Sequence, residues 1–195
     1  IGLAYDSIRQ NDCDWAVCGG SEAPIFEMGV AGFNSMRAMS TRNDDPETAS
    51  RPFDKDRDGF VLGEGSAMMI LEDYEKAKER GARIYGEIVG YGFSADAYHI
   101  TAPDPEGEGV ILAMNKALNA AGIEAEDMDH INMHGTSTPL GDKSKSNSIK
   151  KVFGDYSYEI SMNSTKSMTG HMLGAAGAAE SVATVLAIYH GMVPP

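Results

Sequence analysis

The 195 residues are 42% apolar and 23% charged, which suits one globular domain or part of a larger one. A formal charge of −13 argues against a nucleic-acid partner, because binding phosphate needs a basic surface. The most apolar tract, Met172 to Val193, is interrupted by Glu180 and His190 and argues against a membrane span. Cys13 and Cys18 make no disulfide framework and match no zinc spacing, so a reducing cytoplasm is the default compartment.

In chain order, residues 1–10 read as the end of a helix, and Trp15 to Cys18 as a strand stopped by Gly19-Gly20. Met28 to Met39 has helical spacing of apolar residues, and Thr41 to Arg57 is a long polar loop. Ser66 to Leu71 reads as a buried strand, Glu72 to Arg80 as a charged helix ended by Gly81, and Ile84 to Tyr91 as another strand. A helix over Pro105 to Ala121 stops at Gly122. The strand His130–Met133, the helix Ser144–Phe153, the strand Glu159–Met162 and the helix Gly174–His190 complete the chain. Strands alternating with helices predict an α/β layered fold, with ligands at the carboxyl ends of strands. Ile1 lacks an initiator Met and Pro194-Pro195 follow directly on a helix, so an internal piece of a longer protein is expected.

Two segments fall at such strand ends: His134-Gly-Thr-Ser-Thr-Pro-Leu-Gly-Asp142 and Asn163-Ser-Thr-Lys-Ser-Met-Thr-Gly-His171. Small residues let the backbone approach a ligand, and imidazoles can donate to developing negative charge. Lys166 lies five residues before His171. No carboxylate or third histidine stands at ligand spacing beside either histidine, so a metal pair is the weaker reading. His99 and His130 have no comparable setting, and His190 has a helix-dipole explanation.

Other features have plainer readings. Asp54-Lys-Asp-Arg-Asp-Gly59 copies half of a calcium loop, but its twelfth position is Gly65, so a charged loop with internal Arg/Asp pairing is the better reading. Gly59…Gly63-Glu-Gly65 lacks the spacing of a nucleotide loop. Gly170, Gly174 and Gly177 share a helical face that suits close packing. Glu180, among Ala and Val, is expected to be buried and paired, with a structural and an active-site role both open. Cys18 reads as a buried structural thiol. Lys143, Lys145, Lys150 and Lys151 read as a solvated helix face, and Arg37 with Arg42 as a further candidate basic patch.

The two histidine segments and Arg51-Pro-Phe-Asp-Lys-Asp-Arg-Asp-Gly-Phe-Val-Leu-Gly-Glu-Gly65 closely resemble the β-ketoacyl-[acyl-carrier-protein] synthases, most nearly the type II enzymes of bacterial fatty-acid synthesis. The resemblance implies a thiolase-like α-β-α-β-α layered sandwich, present here in part. Residues 1–60 would end the N-terminal half and 61–195 would form the C-terminal half without its last strands. It implies a cytoplasmic homodimer that elongates fatty acids by decarboxylative condensation of malonyl-carrier protein with an acyl-enzyme thioester.

By the same resemblance His134 and His171 are the catalytic histidines, and Lys166, Glu180 and Asp142 belong to the catalytic set. Thr136 and Thr138 would bond the phosphopantetheine arm, and Arg37 would meet the acidic acyl carrier protein. No cofactor is implied beyond that carrier-borne arm and a structural alkali cation at Asn132, the Met133 carbonyl and Glu180. The family's nucleophilic Cys would precede Ile1, so the isolated 195 residues are expected to be inactive. Lys145 replaces a carboxylate of the family pattern and changes the charge beside the site. The competing readings are a carrier-binding or dimerisation module without chemistry, a polyketide-type ketosynthase or decarboxylase relative, and a coenzyme A thiolase.

Overall fold

The computed structural model describes residues 1–99 and 102–195. Helix α1 (Gly2–Arg9) leads into strand β1 (Trp15–Glu22) and helix α2 (Glu27–Ser35). An irregular stretch with a 3-10 turn at Pro46–Thr48 then runs to β2 (Gly65–Glu72) and α3 (Tyr74–Glu79). The rest follows as α4 (Glu108–Ala121), β3 (His130–Asn132), α5 (Pro139–Phe153), β4 (Ser161–Asn163), α6 (Lys166–Thr169) and α7 (Ala176–His190).

Local chemistry sets the helix ends. The Asp73 carboxylate accepts the Lys76 N–H and starts α3, and Gly81 ends it at φ +71. Asp104 accepts the N–H of Glu108 at the start of α4, and Gly122, at φ +67, closes that helix. Helix α5 opens with Pro139 at its first position and Asp142 in its first turn, and Lys150 and Lys151 lie in its last turn. Each charge complements the helix dipole.

Strands β1 and β2 pair antiparallel, while β3 and β4 pair parallel across the α5 crossover. Met133, Ile149, Phe153 and Ile160 form the buried cluster under β3 and α5, with Met114 and Leu118 of α4 packed against it. Helix α7 packs on β1 and β2.

Several boundaries differ from expectation for identifiable reasons. Strand β1 continues through Gly19-Gly20 to Glu22, because a side chain at Gly20 would stand 2.6 Å from the Gly174 carbonyl oxygen. Those glycines permit close approach instead of stopping the strand. Strand β2 is not buried on both faces. Met68 and Ile70 are exposed beside Trp15 and Val17, and the opposite face meets α7. Cys18, on the α7 side, is half-buried rather than buried. Helix α2 stops at Ser35, since Arg37 turns left-handed at φ +53 and Met39 bridges to Phe60. Residues 84–91 form no strand, because among the described residues no strand pairs with them.

Candidate active site

The carboxyl ends of the parallel strands β3 and β4 lie side by side, which brings the two histidine segments together. His134 follows β3 by two residues. Helix α6 carries Lys166 and then hands the chain to His171 through Gly170, at φ +66. The segment before β2 secures this turn: the His171 N–H donates to the Val61 carbonyl at 2.7 Å, and Gly63 N–H donates to the His171 carbonyl at 3.0 Å.

The imidazoles of His134 and His171 meet edge to face, with centroids 5.1 Å apart and planes at 87°. The ring of Phe60 also meets His171, with centroids 5.5 Å apart and planes at 79°. The Leu173 N–H donates to His171 Nδ1 at 3.3 Å, so the neutral ring carries its proton on Nε2. Burial lowers the His171 pKa to about 4, and the Lys166 ammonium adds to the effect. The His134 residue as a whole is exposed. Desolvation of its ring nonetheless lowers its pKa to about 3, helped by the charges of Lys166, His171 and Lys145. Both rings are therefore neutral at pH 7.

Lys166 is 1% exposed and forms an ion pair with Glu180 of α7. Burial pushes the Glu180 carboxyl up, with the Lys166 ammonium opposing it. Burying such a charge requires a partner, and the pairing expected of Glu180 supplies one. The Ser50 hydroxyl also holds the Lys166 carbonyl.

Asp142 is 1% exposed, and among the described residues it bonds to neither histidine. Its two carboxylate oxygens accept the N–H groups of Thr136, at 3.0 Å, and Phe53, at 2.9 Å, and Arg57 Nε lies 3.3 Å away. Asp142 is therefore part of the frame of the first histidine segment. The hydroxyls of Thr136 and Thr138 are 3.0 Å apart and hydrogen-bonded to each other.

Asn132 reaches the same region from β3, donating to the Glu180 carbonyl at 3.4 Å and to Thr184 Oγ1 at 3.3 Å. Among the described residues its Oδ1 is buried without a hydrogen-bond partner. An orphaned carbonyl oxygen beside Glu180 fits a hard alkali cation, which takes oxygen ligands. Arg37 is exposed just past α2, two residues before the bridge from Met39 to Phe60. A cavity of about 510 Å³ opens beside His134, lined by Met114, Ile131, Ile149, Lys145 and Asp96 among others. Burial lowers the Lys145 pKa against the pull of Asp96.

The calcium-like run is occupied by protein groups. Asp58 takes the Ser40 hydroxyl at 2.7 Å, the Thr41 N–H at 2.9 Å and Arg51 at 3.0 Å. The basic cluster is also engaged in part: Lys151 pairs with Glu106 and Lys150 lies over the Tyr158 ring.

Sequence reasoning missed Arg57, Phe53, Ser137 and the Leu173 N–H as site-building groups. The charged run around Arg57 was a signal, but its partner lies 85 positions on and spacing alone could not name it.

Two family descriptions match the chain: the β-ketoacyl synthase N-terminal domain over residues 1–77 and the C-terminal domain over residues 85–195. The chain belongs to the β-ketoacyl synthase family. Among curated relatives, 3-oxoacyl-[acyl-carrier-protein] synthase 2 of Coxiella burnetii is 55% identical over 195 residues, covering all of this chain and 47% of that protein. The Synechocystis protein of the same name is 53% identical with the same coverage. This synthase-family chain thus spans about half the length of the curated relatives it matches.

Among solved structures, a type II polyketide ketosynthase in complex with its acyl-carrier protein has a TM-score of 0.94 at 42% identity, covering 96% of this chain and 46% of that one. A β-ketoacyl synthase from Burkholderia phymatum has a TM-score of 0.90 at 41% identity, covering 95% of this chain and 44% of that one. The fold is accordingly the thiolase-like α/β layered fold of ketosynthases, and these residues build part of it.

Proposed function

We propose that the protein containing this chain is a 3-oxoacyl-[acyl-carrier-protein] synthase that elongates fatty acyl chains, and that these residues supply its His134, His171 and Lys166 machinery. The observation that carries this reading is the right-angled pair of neutral imidazoles next to the ion pair of buried Lys166 with half-buried Glu180. Rings with pKa values of about 3 and 4 are poor bases at pH 7, so their use is as N–H donors.

In the proposed reaction the bond from malonyl Cα to its carboxylate breaks, CO₂ leaves, and the electron pair moves onto the thioester oxygen as an enolate. His171 Nε2–H and a ring N–H of His134 donate to that oxygen, which stabilises the charge where it develops. The enolate carbon then attacks an acyl thioester, forming the new C–C bond as the thiolate departs. By the family resemblance, that thiolate belongs to a Cys that precedes Ile1.

Of the bonded Thr136 and Thr138 hydroxyls, one O–H donates to the other and one remains free to donate to the phosphopantetheine arm. Exposed Arg37 suits an acidic carrier protein approaching a chain that is itself acidic. The name of the relatives and the carrier-bound ketosynthase support the carrier as partner. A homodimer in the cytoplasm completes the proposal, and among the described residues no helix is long and apolar enough to cross a membrane. The division at residues 60 and 61 remains part of it, although the two family matches meet between residues 77 and 85.

The test is CO₂ release from malonyl-carrier protein by the full-length protein and its His134→Ala and His171→Ala variants. Each variant should lose about 10²–10³ in kcat, the worth of one preorganised donor. Undiminished decarboxylation in both variants would refute the assignment.

A further inference from the structure

The segment Arg51–Gly59, which the condensation chemistry leaves unused, is built around the first histidine segment. Arg57 is the centre of this arrangement, with its side chain 15% exposed. Its Nε donates to the Thr138 carbonyl at 3.2 Å and lies 3.3 Å from Asp142 Oδ2. Its two terminal nitrogens donate to the Pro139 carbonyl at 2.6 Å and the Asp54 carbonyl at 2.7 Å. Asp142, in turn, holds the Thr136 N–H through its other oxygen. One guanidinium–carboxylate pair therefore fixes the backbone on both sides of Ser137.

Ser137 is fully buried at φ +69, a conformation that a residue with a side chain keeps only when its surroundings over-determine it. Its carbonyl accepts the Gly59 N–H at 3.0 Å, and its hydroxyl accepts the Arg51 N–H at 3.2 Å. The Phe53 ring closes against Gly135, where an added Cβ would come within 2.8 Å of it.

We propose that Arg57 is a positioning residue for the Thr136–Thr138 hydroxyl pair, acting through buried Asp142 and the carbonyls of Thr138 and Pro139. The inference rests on the reading that these threonines receive the phosphopantetheine arm. A lysine would keep the charge facing Asp142 but lacks the planar fork that bonds two carbonyls at once. The two threonine hydroxyls are useful as an arm site only while their backbones hold this spacing. Loss of the clamp should therefore weaken binding of the arm more than it slows chemistry at the histidines.

The experiment uses the full-length protein with Arg57→Met and Arg57→Lys. Decarboxylation kinetics are measured with malonyl-carrier protein and with the malonyl thioester of ethanethiol, which has no arm. Arg57→Met should raise KM for the carrier substrate about tenfold while kcat changes less than about threefold, the effect of losing binding common to ground and transition states. Arg57→Lys should recover part of that loss, and kcat/KM for the ethanethiol ester should stay within about threefold of the parent value. An unchanged carrier KM in both variants, or an equal loss on both substrates, would overturn the proposal. Should Arg57→Met fail to fold, Arg57→Lys alone decides: a carrier-specific rise in KM supports the clamp, and none refutes it. Failure of the unmodified protein to decarboxylate malonyl-carrier protein would instead sink the condensing-enzyme reading itself.

Discussion

The imidazoles of His171 and His134 stand at 87° to each other, and His171 Nδ1 is occupied by the Leu173 N–H. Nε2–H is then the one polar group the neutral His171 ring has left to offer. Proton-accepting chemistry at this ring would first require displacing a backbone donor. The arrangement is one of fixed donors aimed at a developing charge, which needs no reorganisation during the reaction.

The depressed histidine pKa values have a defined sign in stability. In an unfolded chain each ring titrates near 6.5, against about 3 for His134 and about 4 for His171 in the fold. As pH falls below about 7 the unfolded state takes up protons that the native state refuses, so stability is complete above that value and is lost progressively toward about pH 3. His171, the less exposed of the two, should account for roughly 1–2 kcal/mol of the difference between pH 7.5 and pH 5. Urea unfolding at the two pH values, with His171→Phe as control, measures this. A loss that is the same in parent and variant would contradict it. Decarboxylation should likewise show no acidic limb near pH 6.5 arising from either ring.

Lys166 and Glu180 make a separable prediction. Lys166→Met leaves the Glu180 carboxyl, 17% exposed rather than buried as expected, without its partner and should cost roughly 2–4 kcal/mol in stability. Lys166→Met with Glu180→Leu removes both charges and should recover most of that loss, as apolar replacement of a buried pair often does. The double variant should remain poor in decarboxylation, because the ammonium beside both imidazoles is gone. Full activity in a stable double variant would make the pair purely structural.

Gly135 tests the packing of the first segment. At φ +22, an alanine Cβ there would stand 2.7 Å from the Ser164 Cβ and 2.8 Å from the Phe53 ring. Gly135→Ala should destabilise by roughly 1–3 kcal/mol, the cost of overpacking. Truncating the ring in Gly135→Ala/Phe53→Ala relieves only one of the two clashes. Thermal unfolding should therefore show partial rescue, and strict additivity of the two changes would argue against this contact.

Much of this was legible in the residues because it is local. The glycine stops at Gly81 and Gly122 and the Gly/Ser/Thr setting of the two histidines depend on neighbours in sequence, whereas α5 begins at Pro139, five residues before the expected Ser144. The resemblance then extended that reading to a family and a fold. What stayed hidden depends on distant partners. Gly19-Gly20 reads as a stop until the approach of Gly174 is seen, and residues 84–91 carry a strand pattern without a strand beside them. Arg57 and Asp142 show the same limit at the site, where each could be seen as charged but neither as the other's partner.

The central claim is that the histidines act as N–H donors and not as bases. His171→Gln in the full-length protein keeps an amide N–H near the Nε2 position but cannot take up a proton at neutral pH. The account predicts that His171→Gln releases CO₂ from malonyl-carrier protein at least about tenfold faster than His171→Ala, recovering part of the 10²–10³ that one such donor is worth. Equal and complete loss in the two variants would contradict it.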